Sequence, residues 1–591
     1  MCVSARHSLG SGTEVSCSSL YIQLIDLSPM RLLHKASLAL LSLACILPLS
    51  AQRRGAQPKQ DNKYNYMQAI DVLGSSMALL DRYFVDSVDL KQLSRLGLAS
   101  MLESLDPYTE YYSAEDNDKL RLMTTGEYGG IGSIISQRPD SVIIINSPME
   151  GMPAARAGLK AGDIILEVDG KDFRRSTSEL VSAALKGSPG SKITILVQRP
   201  GAPKPQLFSF KREQVQVNPV PYYGIVGKDY GYIALTSFPN TAAEEVKRAL
   251  LDLKGRKALK GLILDLRGNG GGLIDEAIKI VNFFVPAGQV VVTTRGRALS
   301  SRQEMTYRTS AKPLDTELPL VVLIDGSSAS ASEIVSGALQ DMDRAVVMGQ
   351  KSYGKGLVQT TMQLPYDGTI KLTTAKYYIP SGRCIQRINY RSVREGKGEQ
   401  VTPDSLTQVF HTRAGREVRD AGGILPDVKV TADSLPTMLF YLTYNNDAFD
   451  WVTRYTQQHK TIASPLEFRL SAADYADFSQ YMIDKKFDYD RQSSKELKRL
   501  EDLAKFEGYY ERSKAEFERL KTLLVPDLKH DLDYHKAAIE RQLTTSILTR
   551  YYYDRGARER SVTEDKVVAE GLKLLADDAR YRQLLSAPAK K

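Results

Sequence analysis

A multi-domain α/β protein is predicted, on three observations. The chain has 591 residues, well beyond the size at which one hydrophobic core usually organises the whole. Between Tyr230 and Met348 short apolar runs alternate with segments of helical apolar spacing, the pattern of strands covered on both faces by helices. On either side the pattern changes, to a glycine-punctuated β-rich stretch before and to charged, tyrosine-rich helical periodicity after. Hydrophobic residues make up 42% and charged residues 25%, a balance that excludes disordered and fibrous classes. The formal net charge is +9, but Lys and Arg are interspersed with Asp and Glu. With no zinc-finger spacing, RNA-binding aromatic signature or basic stripe, this reads as a mixed solvated surface with no nucleic-acid partner.

Residues 1–51 are expected to be a leader. Met30-Arg31-Leu32-Leu33-His34-Lys35 is basic, Ala36–Leu49 is apolar, and Ser50-Ala51 are small residues before Gln52. That order is a secretory signal peptide, with an apolar run too short to span a bilayer comfortably. Translation is expected to begin at Met30 and cleavage to follow Ala51; lipidation of Cys45 is the weaker alternative, because Ser42-Leu43-Ala44-Cys45 lacks a leucine three positions before the cysteine. An exported, periplasmic protein follows, with peripheral association with the cell envelope left open. Of four cysteines only Cys384 would remain, so no intrachain disulfide is expected and a small apolar role is assigned to it.

A polar linker (53–63) leads to a helical N-terminal region, residues 62–115, whose apolar residues Met67, Ile70, Leu73, Met77 and Leu80, then Leu90, Leu93, Leu98, Met101 and Leu105, recur at helical spacing and predict two or three packed helices. Asp106-Pro107 ends them. Residues 118–213 form a β-rich module: Gly129-Gly130-Ile131-Gly132 precedes a strand, and further strands at 142–145, 163–168 and 193–197 enclose helices at 153–158 and 177–185. With Ala157-Gly158-Leu159-Lys160-Ala161-Gly162-Asp163, this order resembles a PDZ domain. The resemblance implies that a peptide C-terminus adds as a strand, its carboxylate held by N–H groups of the loop Gly129, Gly130, Ile131 and Gly132.

Residues 220–432 form the α/β core, with strands at 231–236, 261–266, 320–324 and 345–348 and helices at 242–253, 273–284 and 331–342. Active sites in such sheets gather where strands end and helices begin. Asp325 to Glu333 lies at such a junction and carries Ser330 at a helix start, although Ser330-x-x-Glu333 is equally a capping box. Lys355, between Gly354 and Gly356, follows the next strand. A serine hydroxyl needs a base, and lysine serves only when burial or nearby positive charge lowers its pKa. If 355–359 is extended, Lys355 and Gln359 project from one face. Between residues 52 and 432 the only histidine is His411, so a Ser-His-Asp triad has few candidates. Leu264 to Gly272 places glycines at a third junction, where a backbone N–H joins that of Ala331 in an oxyanion hole; no Gly-Lys-Ser/Thr follows, which argues against nucleotide binding. Residues 433–591 are a helical extension with leucines at 497, 500, 503, 520, 523, 524, 572, 575 and 585 and no catalytic constellation; its histidines lack ligand spacing, and no metal or cofactor is expected.

Together Leu105-Asp106-Pro107, the PDZ-like module, Asp265-Leu266-Arg267, Ser328 to Glu333, Tyr353-Gly354-Lys355-Gly356 with Gln359, and Gly422-Gly423-Ile424-x-Pro426-Asp427 resemble the carboxyl-terminal processing, or tail-specific, serine-lysine peptidases. The resemblance implies a crotonase/ClpP-like peptidase core, with Ser330 as nucleophile, Lys355 as general base, Gln359 as its orienter, and Gly271 or Gly272 with Ala331 as oxyanion donors. Protein or peptide substrates with apolar C-termini are implied, and self-association stays open. A positively charged module residue can contact the glutamine in that family, a place offered here by Lys186. The alternatives are an inactive PDZ scaffold and a crotonase-like acyl enzyme.

Overall fold

A computed structural model describes residues 62–297, 304–394, 403, 405, 407–431 and 434–586. The expected leader, with Met30, Cys45 and Ala51, lies outside the described residues. Among the described residues no helix is long and apolar enough to cross a membrane.

The chain divides into two units between Val88 and Asp89. The described part of the first holds one helix, α1 (Asn62–Tyr83). Its apolar stripe does not pack as the sequence predicts: Met67, Ile70 and Leu73 are exposed, because that part of the unit offers no apolar layer to bury them against. In the second unit α2 (Leu90–Glu103) starts where the Asp89 carboxylate accepts the Gln92 N–H at 3.0 Å, and it buries only Leu102.

The β-rich module is a sheet of β1 (Ser133–Gln137), β2 (Ile143–Pro148), β3 (Ile164–Val168), β4 (Lys192–Gln198) and β5 (Gln206–Lys211), paired in that order, with α3 (Pro153–Ala157) and α4 (Ser178–Leu185). Period-two burial in β4 sends Ile193, Ile195 and Val197 into a core shared with Ile143, Ile145, Val181 and Leu185. A separate ribbon pairs 127–130 with 213–216 at its entrance. The second strand of that ribbon and β5 were not anticipated from sequence, although β5 alternates and sends Phe208 and Phe210 toward the core.

The core is a six-stranded sheet: β6 (Tyr222–Val226), β7 (Tyr230–Ala234), β8 (Gly261–Asp265), β9 (Leu320–Ile324), β10 (Val346–Gly349) and β13 (Val428–Lys429), all parallel beyond the β6–β7 hairpin. Alternate side chains of the same strands feed opposite faces. Leu262, Leu264, Val322 and Ile324 meet α5 (Ala242–Arg256), α6 (Ile274–Phe284) and α7 (Ala331–Asp341). Ile263, Val321 and Leu323 face the other way, against residues from the far end of the chain. A hairpin of β11 (Leu357–Gln363) and β12 (Thr369–Tyr378) stands in a second sheet.

The C-terminal part is helical: α8 (Thr437–Tyr444), α9 (Asp447–Gln458), α10 (Ala472–Asp484), α11 (Gln492–Phe506), α12 (Tyr510–Leu523), α13 (Leu528–Tyr534), α14 (Lys536–Glu564), α15 (Lys566–Ala576) and α16 (Asp578–Leu585). Its own core is built on Trp451, Phe478, Met482 and Ile547. The periodic leucines Leu500, Leu503, Leu520, Leu523 and Leu524 are instead exposed on the α11–α12 hairpin; helical period alone does not say which stripe finds a partner. Val562, Val567, Val568, Leu574, Leu575 and Tyr581 cover the second face of the central sheet. Each fully buried aliphatic there contributes about 1.5–3 kcal/mol.

Candidate active site

The site lies at the ends of β8, β9 and β10, where three loops meet. Four serines stand in the turn before α7 and in its first turn, and their surroundings separate them. Ser328 Oγ donates to Leu266 O at 2.8 Å and Ser332 Oγ to Asn269 O at 2.9 Å; both residues are fully buried. They staple the β9–α7 turn to the glycine loop after β8. Ser327 is exposed on the turn. Ser330 sits at the N-terminus of α7 with φ 55° and ψ −114°, a combination that costs a non-glycine residue of order 1–3 kcal/mol.

What holds that backbone is Glu333. This fully buried carboxylate takes the Ser330 N–H (2.8 Å) and the Lys355 N–H (2.9 Å) on Oε2, and the Gly354 N–H (2.7 Å) and Ser352 hydroxyl (2.5 Å) on Oε1. Burial pushes its pKa up to about 7 even against these four donors. Tyr377, also buried, bridges the matching carbonyls: its hydroxyl lies 3.2 Å from Ser330 O and 2.5 Å from Lys355 O. Ser330 and Lys355 are therefore tied together through both N–H groups and both carbonyls. The capping-box glutamate was legible as a cap; its grip on residues 352–355 was not, because those lie beyond the next strand. No sequence signal marks Tyr377.

Behind this clamp Ser352 Oγ accepts the Ile424 N–H at 2.6 Å. Gly354 has φ 88°, and a Cβ there would stand 2.7 Å from that of Arg387, so this glycine is required by both conformation and space.

Lys355 lies in the segment before β11, and a register shift interrupts the ladder between Val358 and Gln359. The expectation that 355–359 is one extended run with period-two side chains is thus corrected. Burial, with the Lys371 charge second, lowers the Lys355 pKa to about 8. Its ammonium rests 4.0 Å from the centre of the Tyr108 ring, an attraction that favours the charged form. Tyr108 is fixed by hydroxyl contacts of 3.3 Å with Tyr353 and Tyr390, and its loop is turned by Asp106, which accepts the N–H groups of Tyr108 and Thr109 at 2.9 Å each. Gln359 does not orient the lysine here: its Nε2 donates to Thr373 Oγ1 at 3.1 Å, and Thr373 donates on to Asp106 at 3.2 Å.

The glycine loop is pinned by buried Asn269, whose Nδ2 donates to Leu235 O at 2.8 Å and whose Oδ1 accepts the Gly271 N–H at 2.9 Å. The Gly271 N–H is thereby committed, which corrects its expected role as an oxyanion donor. Gly271 is instead a close-approach glycine: at φ 100°, an added Cβ would meet Ser330 Cβ at 2.8 Å and Ala331 N at 3.0 Å. Its carbonyl accepts the Phe238 N–H at 3.1 Å, so the trans peptide turns the Gly272 N–H away from Phe238. The Ala331 N–H, in the first turn of α7, has no intrahelical acceptor. Before the loop, Arg267 clamps Asp265 with Nε (3.0 Å) and Nη2 (2.6 Å) and reaches Asp565 of the C-terminal helices at 2.9 Å.

In the β-rich module the four expected loop residues divide. Gly129 and Gly130 lie in the ribbon strand paired with 213–216, and a Cβ on Gly129 would stand 2.1 Å from Gly187 O; that pair of glycines is structural, which corrects the four-residue loop. Ile131 is buried, and Gly132 turns with φ 67°. The carbonyls of Ile131 and Gly132 accept the Ala154 and Met149 N–H groups at 2.9 Å each, which turns the N–H groups of Gly132 and Ser133 the opposite way. Lys186 stands 5.8 Å over the Tyr128 ring and makes no contact with Gln359. Beside it buried Arg212, not singled out from sequence, donates to Ala184 O (2.8 Å), Leu185 O (3.2 Å) and Asp169 (3.0 Å), closing the end of α4.

Comparison with known proteins follows these boundaries. The model for Peptidase family S41 matches residues 229–407, a PDZ domain model residues 144–199, and a model for the probable PDZ-protease C-terminal helical domain residues 438–575. A carboxy-terminal-processing protease of Bartonella bacilliformis is 38% identical over 353 residues, 59% of this chain and 77% of its own length. A probable CtpA-like serine protease of Staphylococcus aureus is 35% identical over 309 residues, 52% of this chain and 60% of its own. Among solved structures, a photosystem II D1 C-terminal processing protease aligns over 64% of this chain and 96% of its own, at 25% identity and a TM-score of 0.34.

Proposed function

The chain belongs to peptidase family S41, among the carboxy-terminal-processing proteases, and from that premise we propose that Ser330 and Lys355 form its catalytic dyad. The observation that carries this reading is the shared clamp: Glu333 and Tyr377 fix the backbones of these two residues as one piece. Neutral Lys355 takes the Ser330 hydroxyl proton as Oγ attacks the scissile carbonyl. The oxyanion that forms is met by the Ala331 N–H and by the Gly272 N–H. The Lys355 ammonium then protonates the leaving amine; water gives a proton to the lysine as it attacks the acyl-serine, and that proton passes to Ser330 Oγ as its bond to the acyl carbon breaks. Because the Tyr108 ring favours the charged lysine, Nζ leaves it when the base acts, and Gln359 exchanges Thr373 for the amine.

The PDZ domain selects the substrate. An apolar C-terminus adds beside β1, with its carboxylate on the N–H groups of Gly132 and Ser133. The leader pattern at residues 30–51 supports export to the periplasm, and the exposed stripe of α1 supports self-association. The test is cleavage of an unfolded protein with an apolar tail, compared with the same protein ending in two aspartates. The reading expects wild type to cut the first faster, and Ser330→Ala and Lys355→Ala to cut neither. Retained cleavage by Ser330→Ala overturns it.

A further inference from the structure

The PDZ domain and the C-terminal helices enclose a cavity of about 630 Å³, lined by β2, the α3–β3 turn and the facing helices α9 and α14. One guanidinium in its wall has no carboxylate partner. Arg212, Arg383 and Arg416 each hold a carboxylate at 2.6–3.0 Å. Arg550 holds none: Nη1 donates to Ala161 O (3.0 Å) and Thr453 Oγ1 (3.3 Å), the guanidinium carbon stands 4.1 Å from the centre of the Phe449 ring, and Nη2 is buried without a partner. Burial lowers its pKa to about 10. The nearest acid, Asp450, is already gripped by Arg138 at 2.7 and 2.9 Å.

The other charged lining residues are three cations and one acid. Lys160 and Lys460 are exposed at the cavity, and Arg199 is balanced by buried Asp163, which it holds at 2.7 and 2.8 Å. The uncompensated charges are thus Lys160, Lys460 and Arg550. Three residues after Arg550, α14 is broken at Tyr553, which lines the cavity at φ 56° and ψ −167°. Strained backbone of that kind persists where surrounding structure overdetermines it, and it clusters at binding sites. A buried cation without a counter-ion is costly unless something supplies one.

We propose that this cavity is a binding site for an oxyanion, a phosphate or carboxylate group on a small ligand, held at the Arg550 guanidinium and steered by Lys160 and Lys460. Bound there, the anion completes the charge balance of the seam and fixes the PDZ domain to the helical domain. The site is remote from Ser330 and stands independently of the peptidase reading.

The experiment is thermal unfolding and calorimetric titration of the full chain with inorganic phosphate, and separately with citrate, at constant ionic strength against chloride. Wild type should gain roughly 2–5 °C at saturation. Arg550→Met, close in length but without the charge, should lose that gain and unfold at or above the wild-type temperature in chloride, since it removes an unpaired buried cation. Lys160→Gln with Lys460→Gln leaves the buried wall intact and should weaken phosphate roughly threefold to tenfold. A stronger effect of phosphate than citrate assigns a phosphate group, and the reverse a carboxylate. No gain beyond chloride, or an equal gain in Arg550→Met, overturns the proposal.

Discussion

The two faces of the central sheet are covered in different ways. On one, α5, α6 and α7 are the crossovers of the strands themselves, so cover and strand are neighbours in sequence. On the other, the cover comes from 562–581, about 300 residues after β8. The first face builds the candidate site, since Ser330 is the N-cap of α7 and Glu333 lies in its first turn. The second reaches the candidate site where Asp565 both caps α15, accepting the Val567 and Val568 N–H groups at 2.7 and 3.0 Å, and pairs with Arg267 at the root of the glycine loop. The difference teaches that a segment far along the chain can brace a loop of the candidate site that local sequence pattern builds.

The largest expected effect lies on the first face. Glu333→Gln places an amide against donors that need an acceptor, freeing the Ser330 or Lys355 backbone, and should lower kcat/KM by about 100-fold or more. A steady-state assay with the variant's folded fraction measured alongside checks this. From the second face, Asp565→Asn keeps the cap but weakens the pair with Arg267. A loss in kcat of roughly tenfold with KM unchanged is expected; a drop in Tm with unchanged kcat would reduce the second face to a mere cover.

Lys371→Gln should act on pH rather than on maximal rate. Lys371 lowers the Lys355 pKa, so removing its charge raises that pKa above about 8. The base must be neutral, so the alkaline-rising limb of kcat/KM moves to higher pH; a shift to lower pH would refute the electrostatics. The smallest effect on catalysis belongs to Tyr581→Phe. Its hydroxyl accepts the Leu320 N–H at 2.8 Å and donates to Leu320 O at 3.0 Å. Losing both should cost about 1–3 kcal/mol of stability, read by urea unfolding, with kcat unchanged.

The same contrast explains what was legible in the sequence. The β–α alternation of 230–348 is local, so the seven elements read there are recovered to within three residues, and Ser330, Lys355 and Ala331 fall at the junctions where they were expected, whereas the antiparallel pair 290–296 and 304–308, outside that alternation, was missed. Contacts between distant segments left no local signal. The hold of Glu333 on Lys355, Tyr377 across the pair, Asn269 on Gly271 and Thr373 on Gln359 all join separate loops. Glycines misled for a related reason. Gly129 and Gly271 answer to close approach by another segment, Gly187 O and Ser330 Cβ, and only the fold reveals the approaching atom. The leucines at 500–524 failed because period identifies a stripe and not its partner.

The most direct test of the dyad follows the acylation of Ser330 by a serine-reactive peptidyl probe, by intact mass and peptide mapping, as a function of pH. The account predicts a rate that rises tenfold per pH unit below about 8 and levels above it, with label on Ser330 alone and none in Lys355→Ala. Equal labelling of wild type and Lys355→Ala across that range, or label on another residue, would contradict it.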